Sequence, residues 1–258
     1  MTPLAATTPT GDTTATHTGP SPAELFDQHP DLTEYICHWS RRVGCIYVET
    51  PKVACTTIKR VLQSAELGPV GSSELPEDVH DRATSPLLSP GHDPDGFVSA
   101  LTDTGGFCFG FVRNPYGRAL SCWLDKMVAN EVERARLAPL LGLDPDRPPG
   151  LDAFLAAVAD QPEVERDPHW ATQTYLLNPH GIRYAFIGRF EHFRAEFARV
   201  CAHLGIEAHA GDLPATWHAT DASAKVRSHV GEREAMLIRR IYEADFRNFG
   251  YGWGSSLI

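Results

Sequence analysis

The stretch Tyr47-Val-Glu-Thr-Pro-Lys-Val-Ala-Cys-Thr-Thr-Ile-Lys-Arg-Val-Leu62 decides the fold. It opens inside Gly44-Cys-Ile-Tyr-Val-Glu49, a short β-branched and aromatic run bounded by Gly44 and Pro51, which predicts a buried strand. From Thr56 to Glu66 the apolar residues Ile58, Val61, Leu62 and Ala65 recur at spacings of three and four. That predicts a helix with one buried face, stopped by Gly68-Pro69. A strand thus runs through a tight turn carrying Lys52 into a helix that begins with small and hydroxylated residues.

The free N–H groups at a helix N-terminus point outward, and the helix dipole favours an anion there. Val53, Ala54 and Cys55 offer main-chain N–H groups, Thr56 and Thr57 add hydroxyls, and Lys52 adds a mobile charge beside the same anion. The sequence G-x-x-x-x-G-K-[ST] is absent, which counts against a Mg²⁺-dependent nucleoside triphosphate loop. The competing reading is a plain strand–turn–helix with a surface lysine.

A second constellation is Phe109-Gly-Phe-Val-Arg-Asn-Pro-Tyr-Gly-Arg-Ala-Leu-Ser121. Phe107 to Val112 predicts a strand, and a long helix is expected from Tyr116 to about Ala135, opened by Asn114-Pro115. Arg113 then falls at the carboxyl edge of the sheet, where open α/β folds bind ligands. Its guanidinium suits a phosphate held by two parallel hydrogen bonds. Ser121 follows within the helix and can turn a hydroxyl to the same anion. Arg118 is read as bracing the turn or the nucleotide, and Lys126 as a solvated helix charge.

Further along, Leu151–Ala159, Glu191–Leu204 and Glu232–Arg247 are expected as helices and Tyr184–Ile187 as a third strand. Alternating strands and helices predict an α/β fold with a mainly parallel central sheet flanked by helices. Residues 68–105 are rich in Pro, Gly, Ser and Asp and are expected to be loop. Residues 1–21, rich in Thr, Ala, Pro and Gly without apolar periodicity, are expected to be a disordered tail before one domain over 22–258.

The 258 residues carry a formal net charge of −10. That counts against a nucleic-acid coat or an anionic-membrane binder. A nucleotide pocket needs only a few focused cations. The six cysteines form no C-x-x-C pair, and free thiols in a reducing cytosol are expected, with no zinc site. No apolar run reaches the ~18 residues of a membrane span, and no basic-then-apolar leader begins the chain. A cytoplasmic location is the expectation.

Taken together, the two constellations resemble the binding signatures of sulfotransferases for 3′-phosphoadenosine 5′-phosphosulfate (PAPS), most nearly the carbohydrate sulfotransferases of the chondroitin and HNK-1 type. Pro51-Lys-Val-Ala-Cys-Thr56 with Lys59-Arg-Val-Leu62 looks like that group's 5′-phosphosulfate loop, and Val112-Arg-Asn-Pro-Tyr-Gly-Arg-Ala-Leu-Ser121 like its 3′-phosphate motif. Val79-His80 lies between the two motifs, where the group has a histidine; Asp167-Pro-His-Trp-Ala-Thr-Gln173 resembles its D-x-H-W-x-x-Q segment, and Phe186-Ile-Gly-Arg-Phe-Glu191 and Tyr242-Glu-Ala-Asp-Phe-Arg-Asn-Phe-Gly-Tyr251 its later landmarks, in order. Glu49, Thr57 and Ile58 depart from the usual loop.

The resemblance implies transfer of a sulfuryl group from PAPS to an acceptor hydroxyl, on a sugar or a glycosylated or nucleoside natural product, without a metal. It implies that Lys52 stabilises the leaving oxygen. Val53, Ala54, Cys55, Thr56 and Thr57 would hold the 5′-phosphate and sulfonate, and Arg113 and Ser121 the 3′-phosphate. For the general base, His80 is the first choice and His169 the second, the latter alternatively orienting the acceptor or packing with Trp170. Lys225 and Arg227 are read as a basic loop over the nucleotide or as solvated charges. The rivals are a P-loop-like kinase and a non-catalytic nucleotide-binding protein.

Overall fold

The computed structural model describes residues 19–68, 75–103, 105–206 and 226–254. Helices α1 (Pro22–Phe26) and α2 (Pro30–Ile36) lead into strand β1 (Cys37–Ser40). Strand β2 (Cys45–Val48) turns into α3 (Cys55–Leu67), and α4 (Pro94–Thr102) precedes β3 (Phe107–Val112). Helix α5 (Pro115–Cys122), a π-helical stretch Trp123–Ala129, α6 (Glu131–Leu137), α7 (Leu151–Asp160) and α8 (Gln173–Leu177) come before β4 (Phe186–Arg189). Helices α9 (Phe193–His203), α10 (Glu232–Ile241) and α11 (Glu243–Asn248) follow.

The sheet order is β1-β2-β3-β4. The β2–β3 and β3–β4 pairs are parallel and β1 is antiparallel to β2. The expected α/β fold with a mainly parallel sheet is therefore the fold observed. Alternation along each strand divides the core between two faces. Tyr47, Phe109 and Phe111 face α3 and α9 through Ile58, Val61, Leu62, Phe193 and Phe197. Ile46, Val48, Cys108 and Val112 face the other layer, with Tyr116, Phe154, Leu176 and Ile238. Gly188 on β4 makes room for this packing, because a Cβ there would lie 2.2 Å from Cε1 of Phe111.

Several local expectations are corrected. β1 was not foreseen; its outer edge is covered by Leu88, whose N–H and carbonyl each bond Trp39 at 2.9 Å. The expected loop over 68–105 contains α4, started by Pro94 with Asp93 accepting from the Gly96 N–H. The expected helix from Tyr116 to Ala135 is broken. The π-helical stretch ends at Asn130, whose side chain caps α6 by accepting from the Glu133 N–H. Arg134 bonds the Met127 carbonyl at 3.1 Å and the Val128 carbonyl at 3.3 Å, so the break leaves those groups satisfied.

The third strand lies two residues beyond its expected position. Tyr184 points its hydroxyl to the Leu177 carbonyl at 2.6 Å, and pairing with β3 begins at the Ala185 N–H. The C-terminal helix divides at Tyr242, which is buried with its hydroxyl 3.1 Å from the Trp170 carbonyl. All six cysteines are free thiols and all but Cys55 are buried. No helix among the described residues is long and apolar enough to cross a membrane.

Candidate active site

The site forms where β2, β3 and β4 end. At the end of β2 the backbone takes left-handed conformations at two non-glycine residues, Lys52 (φ 71°) and Ala54 (φ 63°). Each costs about 1–3 kcal/mol, and such strain concentrates at functional sites. Left-handed residues in a turn are a backbone feature of anion-binding nests. Ala54 is the N-cap of α3 and supplies no side-chain acceptor, so no side-chain cap closes the first turn of that 13-residue helix. Val53 is buried and fixes the turn from beneath.

Arg113, at the end of β3, meets this turn directly: its Nη1 donates to the Lys52 carbonyl at 3.1 Å. Gln173 holds the Arg113 backbone from both sides, accepting its N–H at 2.7 Å and donating to its carbonyl at 2.9 Å. The guanidinium lies over the Phe190 ring at 4.2 Å. Burial lowers its pKa to about 10, against the raising effect of Glu191, and leaves it charged at neutral pH. Among the described residues no carboxylate forms an ion pair with it. A half-buried cation with no carboxylate in direct contact suits an anionic ligand. Gly117 keeps the space beside the fork open, since a Cβ there would lie 3.3 Å from Nε of Arg113. Ser121 is half-buried near the end of α5.

Arg118 braces the turn from within the core. Fully buried, it donates from Nε to the Pro51 carbonyl at 3.1 Å, from Nη1 to Ala171 at 2.6 Å and from Nη2 to Pro168 at 2.9 Å. Those three bonds hold the Lys52 turn against the segment carrying His169. Lys126, expected as a solvated charge, is instead largely buried and paired with Glu133 at 2.8 Å. The Lys52 ammonium is 2.9 Å from Oδ2 of Asp125 in the π-helical stretch. Burial would raise the Asp125 pKa, but Lys52, Lys126 and His169 together hold it below the usual carboxylate value.

His80 reaches the first turn of α3, with Nε2 3.0 Å from the Thr56 hydroxyl and Nδ1 2.7 Å from the Lys59 ammonium. Burial and the Lys59 charge lower its pKa. Lys59 in turn pairs with Glu49 at 2.8 Å, and Glu49 bonds Nε2 of His38 at 2.8 Å, all three buried. Arg82 donates to Nδ1 of His38. The unusual Glu49 therefore anchors a chain of charges beneath the loop. Glu49, Cys55 and His80 offer ligating atoms within 4.8 Å of one another. The Lys59 ammonium already bonds two of those three, and no metal is assigned there.

His169 carries Nδ1 2.7 Å from Oδ1 of Asp167. The structure thus brings Lys52, Val53, Ala54, Cys55, Thr56, Thr57, Arg113, His80 and His169 to one end of the sheet. Lys225 lies outside the described residues. Arg227 is exposed on the helical turn 226–229, whose His229 meets Trp123 edge-on. Asp125, Lys59, Gln173 and Asp167 were not singled out as site residues. Gln173 and Asp167 stand inside the D-x-H-W-x-x-Q segment, which is the signal that could have found them.

Residues 39–252 match the sulfotransferase family. The chain belongs to that family. It is 25% identical to carbohydrate sulfotransferase 12 of Xenopus laevis over 90% of this chain and 64% of the relative. It is 26% identical to human carbohydrate sulfotransferase 14 over 82% and 59%, and 27% identical to rat carbohydrate sulfotransferase 10 over 80% and 64%. The match spans about three-fifths of the length of these relatives. No solved structure matches.

Proposed function

We propose that this sulfotransferase-family chain moves a sulfuryl group from PAPS to an acceptor hydroxyl, giving adenosine 3′,5′-bisphosphate. The observation that carries the reading is the 3.1 Å bond from Arg113 to the Lys52 carbonyl, which joins the two anion-seeking turns at one edge. Each turn offers positive groups, and a donor with phosphates at both ends of one nucleoside engages both.

Sulfuryl transfer is an in-line displacement in which charge spreads over peripheral oxygens. Catalysis then rests on positioning and electrostatics. The N–H groups of the strained turn, with Thr56 and Thr57, hold the 5′-phosphate and sulfonate. Lys52 exchanges Asp125 for the bridging oxygen as negative charge develops there. Arg113 and Ser121 bind the 3′-phosphate, with Phe190 backing the guanidinium. The matched relatives are named carbohydrate sulfotransferases, which favours a sugar hydroxyl, free or within a glycosylated natural product.

Incubation with PAPS and a panel of glycans, glycosides and nucleosides, read by mass, tests this. An acceptor gaining one sulfonate supports it. ATP turnover requiring Mg²⁺, or nucleotide binding without transfer to any acceptor, contradicts it.

A further inference from the structure

The acceptor hydroxyl must lose a proton, and two histidines stand at the site. A base needs an open lone pair. Lysine ammonium only donates, so the 2.7 Å contact makes Nδ1 of His80 the acceptor from Lys59. The ring hydrogen of His80 is then on Nε2 and donates to the Thr56 hydroxyl at 3.0 Å. The lone pair of His80 faces a cation, and a second proton there would place two positive charges side by side.

His169 has the opposite arrangement. An ionised carboxylate only accepts, so Oδ1 of Asp167 takes the hydrogen of Nδ1 at 2.7 Å, and also the His169 backbone N–H at 2.9 Å. Burial would raise the Asp167 pKa, but these bonds from His169 bring it below the usual value, so it is ionised at neutral pH. Nε2 of His169 is left with the lone pair. The segment is held at the reacting end by Arg118, which ties Pro168 and Ala171 to Pro51, and by the fully buried Trp170. Asp125, the partner of Lys52, feels the charge of His169, and Arg136 acts on Asp167 from another element.

We propose that His169 is the general base, that Asp167 positions it, and that His80 acts through Thr56 as a hydrogen-bond donor on the anion side. This deepens the sulfotransfer reading and rests on it. The acceptor oxygen forms the new S–O bond while its proton passes to Nε2 of His169. The bond from sulfur to the bridging oxygen breaks, and its electron pair stays on the 5′-phosphate beside Lys52.

Two measurements test the assignment. Long-range ¹H–¹⁵N correlation spectra of the labelled full chain at mildly alkaline pH, assigned with His169→Gln and His80→Gln, read the tautomers. The expected result is an Nδ1–H ring for His169 and an Nε2–H ring for His80, with Asp167→Asn redistributing the His169 tautomers alone. An Nε2–H ring at His169, or an Nδ1–H ring at His80, overturns it. In turnover with an acceptor from the panel, His169→Gln is expected to lower kcat about 10²-fold or more, leaving affinity for adenosine 3′,5′-bisphosphate within about twofold. His80→Gln, which keeps a donor for Thr56, is expected to lose about tenfold or less. Wild-type-like turnover by His169→Gln, or His80→Gln as the inactive variant, overturns the proposal. If the native chain transfers nothing, the sulfotransfer reading fails, and the spectra still decide the arrangement.

Discussion

The ammonium of Lys52 lies 2.9 Å from Oδ2 of Asp125, so the cation assigned to the leaving oxygen is held by a carboxylate of the chain itself. The side chains are 18% and 43% exposed, so solvent screens the pair and its worth is about 1 kcal/mol or less. In the proposed transfer an incoming phosphosulfate would compete with Asp125 for Lys52. Asp125→Asn is therefore expected to tighten adenosine 3′,5′-bisphosphate by up to about fivefold at low salt. Stability should be nearly unchanged. Calorimetric titration checks this, and weaker binding would contradict it.

Lys52→Ala removes the charge proposed to stabilise the departing electron pair. Turnover is expected to fall roughly 10²-fold, the equivalent of ~3 kcal/mol of transition-state stabilisation. Single-turnover rates at saturating PAPS measure it, and an unchanged rate would take Lys52 out of the mechanism.

Gly117→Ala should move stability and binding in opposite directions. Alanine inside a helix is favoured over glycine by up to ~1 kcal/mol. The added Cβ, 3.3 Å from Nε of Arg113, presses on the fork that is to receive a phosphate. Denaturant midpoints are expected to hold or rise while nucleotide affinity drops several-fold. Equal affinity would show that Arg113 has slack there.

Arg118→Met leaves the carbonyls of Pro51 and Ala171, both in buried bonds, and that of the part-buried Pro168 without their donor. The expected cost is about 3 kcal/mol in urea unfolding. Activity is expected to be lost with it, because the Lys52 turn and the His169 segment come apart. A stable variant with full activity would deny the brace.

Acid should destabilise the fold through the buried pair His38 and Glu49. Burial holds His38 down to about 4 from 6.5. Burial would raise Glu49, but His38 and Lys59 carry it well below its ordinary 4.5. Both groups bind fewer protons folded than unfolded, so their contribution is complete above about pH 6.5. It declines as pH falls toward 4, at up to ~1.4 kcal/mol per pH unit for His38. Urea midpoints across that window check it. His38→Gln is expected to flatten the slope, and an unchanged slope would contradict the assignment.

Much of this architecture was readable because its signals are local. β2, α3 and β3 are marked by β-branched and aromatic runs and by the spacing of Ile58, Val61 and Leu62. Lys52 and Arg113 were legible as charges just past strand ends. β1 was not, since Cys37 to Ser40 becomes a strand only by pairing with β2 and Leu88. The π-helical stretch shifts the helical register after Cys122, so no α-helical wheel puts Asp125 on Lys52. The chain from His38 through Glu49 and Lys59 to His80 links a strand, a helix and a loop, and no sequence spacing encodes it. The tautomers of His80 and His169 depend on those tertiary partners.

The central claim is that the Lys52 turn and Arg113 hold opposite ends of one doubly phosphorylated nucleoside. Its most direct measurement is the ratio of affinities for adenosine 3′,5′-bisphosphate and adenosine 5′-monophosphate in the native chain and in Arg113→Ala. The account predicts a preference for the bisphosphate of at least about tenfold that collapses in the variant. Equal affinity in the native chain, or a preference that survives the loss of Arg113, would contradict it.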